Sequence, residues 1–168
     1  RYWISATSHP SADQIIILVC DPNYDLEGLI WNGSALGNQL LLDNNIRTYT
    51  EQCFDVEYEQ QSGYAMCVWS NYNDENISSR RWLGTYWGPA LPKVSLDDTA
   101  GYTESPKWLK LKADPNSNQL IAVSIDIASD INTARWTGSA WETAVQHANY
   151  DYKWSSVRRG ADAIFETS

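Results

Sequence analysis

Apolar residues along this chain come in short bursts, and the bursts recur in a fixed order. Runs at Ile15–Asp21, Tyr64–Ser70 and Leu120–Asp126 are each followed, after a polar turn, by an alternating stretch at Leu26–Ile30, Ile77–Arg81 and Ile131–Arg135. Period-two alternation bounded by Asn, Asp, Ser and Gly predicts strands, and apolar positions at helical spacing are hard to find. A further strand-like segment precedes each pair, at Arg1–Thr7, Cys53–Glu59 and Lys107–Ala113. The run Ile15-Ile-Ile-Leu-Val-Cys20 is apolar on both sides of a period-two strand, which predicts a strand covered above and below.

Each alternating stretch runs into a tryptophan motif: Trp31-Asn-Gly-Ser-Ala-Leu36, Trp82-Leu-Gly-Thr-Tyr-Trp87 and Trp136-Thr-Gly-Ser-Ala-Trp141. Gly33, Gly84 and Gly138 would supply the positive φ of a tight hairpin, and Asn32-Gly33 is itself a two-residue turn signal. Trp3, Pro10, Gln14, Asp21 and Trp31 recur 105 residues later as Trp108, Pro115, Gln119, Asp126 and Trp136. The middle unit is a second subtype. Its Asp55, Tyr58 and Glu59 return 107 residues on as Asp162, Phe165 and Glu166.

Four short strands per unit of about fifty residues match the blades of a β-propeller. The expected fold is therefore all-β, a β-propeller-like array of four-stranded antiparallel blades: blade 1 at about 1–51, blade 2 at about 52–105, blade 3 at about 106–156, and the first strand of a further blade at about 157–168. A large aromatic at one fixed place in every blade predicts packing between blades for Trp31, Trp82 and Trp136. Three blades are too few to close a ring, so further repeats of a parent protein or self-association should cover the open ends. The start at Arg1, without methionine or a signal-like segment, fits a piece of a longer chain.

A net charge of −9 repels a nucleic-acid backbone, and Arg80-Arg81 and Arg158-Arg159 are too short to reverse that. The longest apolar run, Ile15–Cys20, falls far below the ~20 residues of a membrane-spanning helix, so no membrane insertion is expected. Cys20, Cys53 and Cys67 match no metal-site spacing. They read either as small buried side chains or, for Cys53 and Cys67, as a bridge within one hairpin.

In such a meander the turns between second and third strands share a surface with the connections between blades. That surface would carry Asp21–Asp25, Asn71–Asn76 and Asp126–Asp130, together with Thr48–Glu51, Gly101–Glu104 and Asp151–Trp154. Tyr49 with Glu51, Tyr102 with Glu104, and Tyr152 with Trp154 place rings beside carboxylates, the combination that stacks on a sugar and accepts its hydroxyl protons. The same tyrosines could instead anchor the loops between blades. Asp21 with Asp25 and Asp126 with Asp130 are candidate calcium ligands, although Asp also starts turns by bonding its own backbone. No other cofactor is expected. Two histidines cannot build a zinc site, and no nucleophile-elbow pattern is present.

The tryptophan hairpins, the strand Phe54-Asp-Val-Glu-Tyr-Glu59 and the turn Asp114-Pro-Asn-Ser-Asn-Gln119 together resemble tandem repeats of large, mostly uncharacterised secreted or surface proteins of bacteria and archaea. That resemblance implies a propeller-like fold and an extracellular or cell-surface setting, and it brings no catalytic residues. It is weakest in the last strand, where Ala161 replaces a large aromatic. Ala122–Asp126 followed by Ile131–Trp136 gives a looser similarity to propeller lectins, including the fucose-binding six-bladed type. The first expectation for function is thus a non-enzymatic structural or assembly module. A carbohydrate-binding, lectin-like module is the alternative, and a glycoside hydrolase using a pair of acids comes third.

Overall fold

The computed structural model describes residues 3–47, 51–96, 105–148 and 161–166. Among them are thirteen strands and no helix, arranged as three antiparallel sheets in chain order. The first sheet comprises β1 (Ile4–Ser8), β2 (Ile15–Cys20), β3 (Leu26–Trp31) and β4 (Leu36–Asp43). The second runs through β5 (Phe54–Tyr58), β6 (Ala65–Ser70), β7 (Asn76–Trp82) and β8 (Trp87–Ala90), with the short β9 (Val94–Ser95) also paired to β7. The third comprises β10 (Pro106–Ala113), β11 (Leu120–Asp126), β12 (Ile131–Trp136) and β13 (Val145–Ala148).

Each sheet is a meander because its connections are too short to do anything else. In the hairpin after Trp31 the backbone N–H of Asn32 reaches the Ala35 carbonyl at 3.2 Å, and the hairpins after Trp82 and Trp136 close in the same way. Gly33, Gly84 and Gly138 have φ of 91°, 87° and 95°, as the turn requires. Asn32 does not occupy the centre of its turn. Its Oδ1 accepts the N–H groups of Ser34 and Ala35, so Gly33 and Ser34 form the tip and Asn32 caps it.

The sheets stack face to face and bury two cores. The alternation of β6 serves both: Ala65, Cys67 and Trp69 join Ile16, Leu18, Val56 and Trp82 on one side, while Met66 and Val68 join Leu109, Leu111, Leu120 and Trp136 on the other. Every residue of β6 is buried. The continuous apolar run of β2 led us to expect the same there, but Ile15, Ile17 and Val19 are only partly buried. Among the described residues nothing packs on that outer side of the first sheet, where Ile4 and Leu36 are 63% and 56% exposed.

The same asymmetry corrects the expectation for the tryptophans. Trp82 and Trp136 lie buried between sheets, whereas Trp31 remains partly exposed on the uncovered side. Close approach between sheets also explains one glycine in mid-strand. A Cβ at Gly28 would come within 2.6 Å of the Trp87 indole, whose N–H donates to the Asn38 carbonyl at 2.7 Å.

The first strands of the three sheets lie side by side. Asp55 of β5 is 1% exposed and ties all three together. It accepts the Ser5 hydroxyl of β1, and its other oxygen accepts the Leu111 N–H of β10 at 2.9 Å and faces the Lys110 ammonium at 2.9 Å. Residues 161–166 form no strand, but Trp108 donates its indole N–H to the Ala161 carbonyl at 3.3 Å and Lys112 stands 4.0 Å from Asp162.

Candidate functional site

The turn from β2 into β3 is built on Asp21, whose Oδ1 accepts the N–H groups of Asn23 and Asp25 at 2.8 and 3.0 Å. Closing that turn forces Tyr24 to φ of 69°, a left-handed conformation costly for a large side chain. Its ring is 41% exposed. The matching turn from β6 into β7 carries Tyr72, 58% exposed.

Residues 45–47, leaving the first sheet, stitch the two turns together. Ile46 donates its N–H to the Tyr24 carbonyl, Arg47 to the Ser70 carbonyl, and Asn45 accepts from the Tyr72 N–H, all within 3.3 Å. Tyr24 and Tyr72 thereby line opposite sides of a cleft of about 330 Å³ between the first two sheets, with Asn45, Ile46 and Arg47 completing its lining.

Arg47 is held from behind. Its Nη1 donates to the Ser105 hydroxyl, and its Nε lies 3.5 Å from Glu51 Oε2. Both side chains are largely buried, and neither Arg47 Nε nor Glu51 Oε2 makes a hydrogen bond. Two rings, a carboxamide and a guanidinium can together hold a small polyol: rings against C–H faces, polar groups to hydroxyls.

Of the six residues expected to bind ligand, Glu51 falls beside this cleft. Tyr49, Tyr102, Glu104, Tyr152 and Trp154 lie outside the described residues. The sequence had marked the two turns as neighbours on one surface but not Tyr24, Tyr72, Asn45 or Arg47 as site residues. Their signal was a pair of large rings in turns otherwise made of Asp, Asn, Glu and Pro.

Asp21 caps its turn. Asp126 caps its own turn through the N–H groups of Ala128 and Asp130, both at 2.9 Å, but it is buried. Burial pushes its carboxyl up to about 6 and the Asp130 carboxylate adds to the rise, against the lowering effect of those N–H groups and Asn132. Among the described residues no group of three or more His, Cys, Asp or Glu side chains converges as a metal site. The three cysteines are buried and form no disulfide, so the bridge between Cys53 and Cys67 is not made.

A second groove, of about 470 Å³, opens between the second and third sheets, where Pro92 follows the end of β8. Leu91, Pro92, Val94 and Trp141 line it, and the Trp141 indole N–H is spent on Ser79 at 3.0 Å.

No protein-family model matches the chain, and no curated protein matches it in sequence. Its fold has clear likenesses. The BP39L lectin of Burkholderia pseudomallei superposes over 89% of this chain with a TM-score of 0.66 at 10% identity, and AofleA of Arthrobotrys oligospora over 88% with a TM-score of 0.58 at 10% identity. The Aleuria aurantia lectin, a six-bladed β-propeller with a fucose recognition mode, superposes over 88% with a TM-score of 0.54 at 11% identity. The fold is β-propeller-like. This partial propeller spans less than half of each of those chains, 42%, 41% and 48% of their lengths. Its three sheets remain open at the first, where a closed ring would supply a neighbour.

Proposed function

We propose that this chain is a non-enzymatic, lectin-like module that binds a neutral sugar in the cleft between its first and second sheets. The observation that carries the reading is the pair Tyr24 and Tyr72, two exposed rings lining a cleft that Asn45 and Arg47 also line. The likeness to propeller lectins supports it over the assembly role expected first. A neutral ligand fits because Glu51 balances the Arg47 charge. An extracellular or cell-surface setting follows from such a role.

The test is a glycan array on the full chain, with α-fucosides included because the Aleuria aurantia lectin recognises fucose. Tyr72→Ala should weaken any detected binding by about tenfold or more, the usual cost of removing a central aromatic contact, while keeping the thermal stability of the parent. An array without hits removes the proposal.

Assembly retains a specific support of its own, the partly exposed Ile15, Ile17, Val19 and Trp31 on the outer side of the first sheet. Such a face is suited to a further sheet of the same kind, so sugar binding and blade-on-blade packing are compatible roles of opposite surfaces. Light scattering across a wide concentration range reads the second role directly.

A further inference from the structure

The third sheet buries a polar cluster that neither the stacking of sheets nor the sugar cleft requires. Ser124, Asp126, Asp130 and Asn132 are each at most 4% exposed. Ser124 and Asp126 are two apart on β11, and Asp130, just before β12, is two residues from Asn132 within it. Ser124 stands directly opposite Asn132 in the register, so the four side chains gather at one end of one face. Asn132 Nδ2 donates to Asp126 Oδ2 at 3.2 Å, and Asp130 Oδ2 accepts from Gln146 at 3.1 Å.

Two oxygens in this cluster have nothing to bond. Asn132 Oδ1 and Ser124 Oγ are buried without a hydrogen-bond partner. The Asn132 amide nitrogen is taken up by Asp126, which leaves the carbonyl oxygen on the other arm of the same amide without a partner. An unpaired buried acceptor costs about 1–3 kcal/mol, and two at one place beside two carboxylates call for a shared positive partner. The equivalent positions 105 residues earlier are Val19, Asp21, Asp25 and Glu27, where the Asp pair is only partly buried and neither a serine nor an asparagine faces it. The cluster is thus a departure of this sheet from its own pattern.

We propose that Ser124, Asp126, Asp130 and Asn132 form a binding site for a hard divalent cation, calcium by preference. The donor set is all oxygen, with two ionisable carboxylates to match the double charge, and calcium fills its remaining positions with carbonyls or water. Bound there, the ion joins β11 to β12 across the turn that Asp126 caps. It also offsets the desolvation that raises the Asp126 carboxyl. The competing source of positive charge is Lys107, buried in β10 within the bulge between Pro106, which pairs with Asp126, and Trp108.

The experiment uses the full chain, stripped with EDTA, with thermal unfolding followed against added calcium or magnesium and terbium luminescence as a direct binding signal. Calcium at millimolar concentration is expected to raise Tm by several degrees, magnesium by less. Asn132→Asp, which adds a third carboxylate, should tighten calcium binding about tenfold, while Ser124→Ala weakens it and keeps the fold. Asp21→Asn, at the equivalent turn of the first sheet, should leave the calcium response unchanged. A Tm and terbium signal that are identical with calcium and with EDTA would overturn the proposal and assign the cluster's charge balance to Lys107. So would an Asn132→Asp variant no more responsive than the parent. None of these measurements contains a sugar, so their failure leaves the cleft's role standing.

Discussion

Trp136 of the third sheet donates its indole N–H to the Glu59 carboxylate of the second at 2.8 Å, inside the seam between them. Trp82 makes the matching link one seam earlier, donating to Gln14 of the first sheet at 2.9 Å. In both cases a side chain at the hairpin between first and second strands supplies the acceptor for the next sheet's tryptophan. Each acceptor has further partners: the Tyr58 hydroxyl also donates to Gln14 at 3.1 Å, and the Ser62 hydroxyl and the Arg81 guanidinium, 3.6 Å away, also depend on Glu59.

Glu59→Ala should therefore cost about 3 kcal/mol, because it leaves a buried indole N–H without an acceptor and a guanidinium without its counter-charge. Glu59→Gln keeps an acceptor of the kind Gln14 already provides and should lose less than half as much. Urea unfolding with an unchanged m-value reads both. Equal losses from the two variants would mean that the charge, not the indole bond, holds this seam.

The repeat tryptophans should differ in cost. Trp82→Phe gives up the bond to Gln14 and part of the edge-to-face contact with Trp87, whose ring centroid is 5.4 Å away. A loss of about 2 kcal/mol is expected. Trp31→Phe, on the uncovered side of the first sheet, should cost below about 0.5 kcal/mol. Two-state unfolding of both variants tests the assignment of the outer face.

These seams show how far the sequence could be read. The glycine turns and the strand alternation were visible because they depend on residues close together in the chain. Whether a strand is covered on both sides was not, since β2 and β6 have equally apolar runs and only the stacking order separates them. The cleft between the first two sheets was half visible: the turns holding Tyr24 and Tyr72 could be assigned to one surface. Asn45 and Arg47 meet those rings only through backbone bonds between sheets, which no local spacing announces.

The cysteines should be inert in the folded state. Burial pushes the Cys20 thiol up to about 12, and burial with the nearby Asp55 carboxylate also pushes Cys67 upward. At pH 8 neither forms the reactive thiolate to any useful extent. An aromatic disulfide reagent should titrate no thiol at once in the native chain and three in urea, with identical intact masses before and after reduction. A native chain that reacts immediately would contradict the burial of all three.

Acid should loosen the second sheet through Asp74. Burial raises its carboxyl, but the hydrogen bonds from Lys93, Asn76 and the Asn76 backbone outweigh that and hold it below the ordinary carboxylate range. A depressed folded-state value means that the contribution is complete above about pH 5 and fades as pH falls through and below 4. Since Lys93 is half exposed, the contribution is below about 1 kcal/mol. Asp74→Asn should flatten that part of the stability profile, and a variant as acid-sensitive as the parent would locate the effect elsewhere.

Tyr24 should trade stability against binding. Its φ of 69° is the conformation that Ser129 holds at 79° in the equivalent turn of the third sheet, where nothing large is needed. Tyr24→Gly removes the strain and should stabilise the fold by up to about 1 kcal/mol. The same change strips one side of the cleft and should weaken sugar binding about tenfold. Opposite movements of Tm and affinity are the signature of a residue kept for its ligand. A variant that loses stability while binding unchanged would show instead that the ring props the loop, and would return the cleft to a structural role.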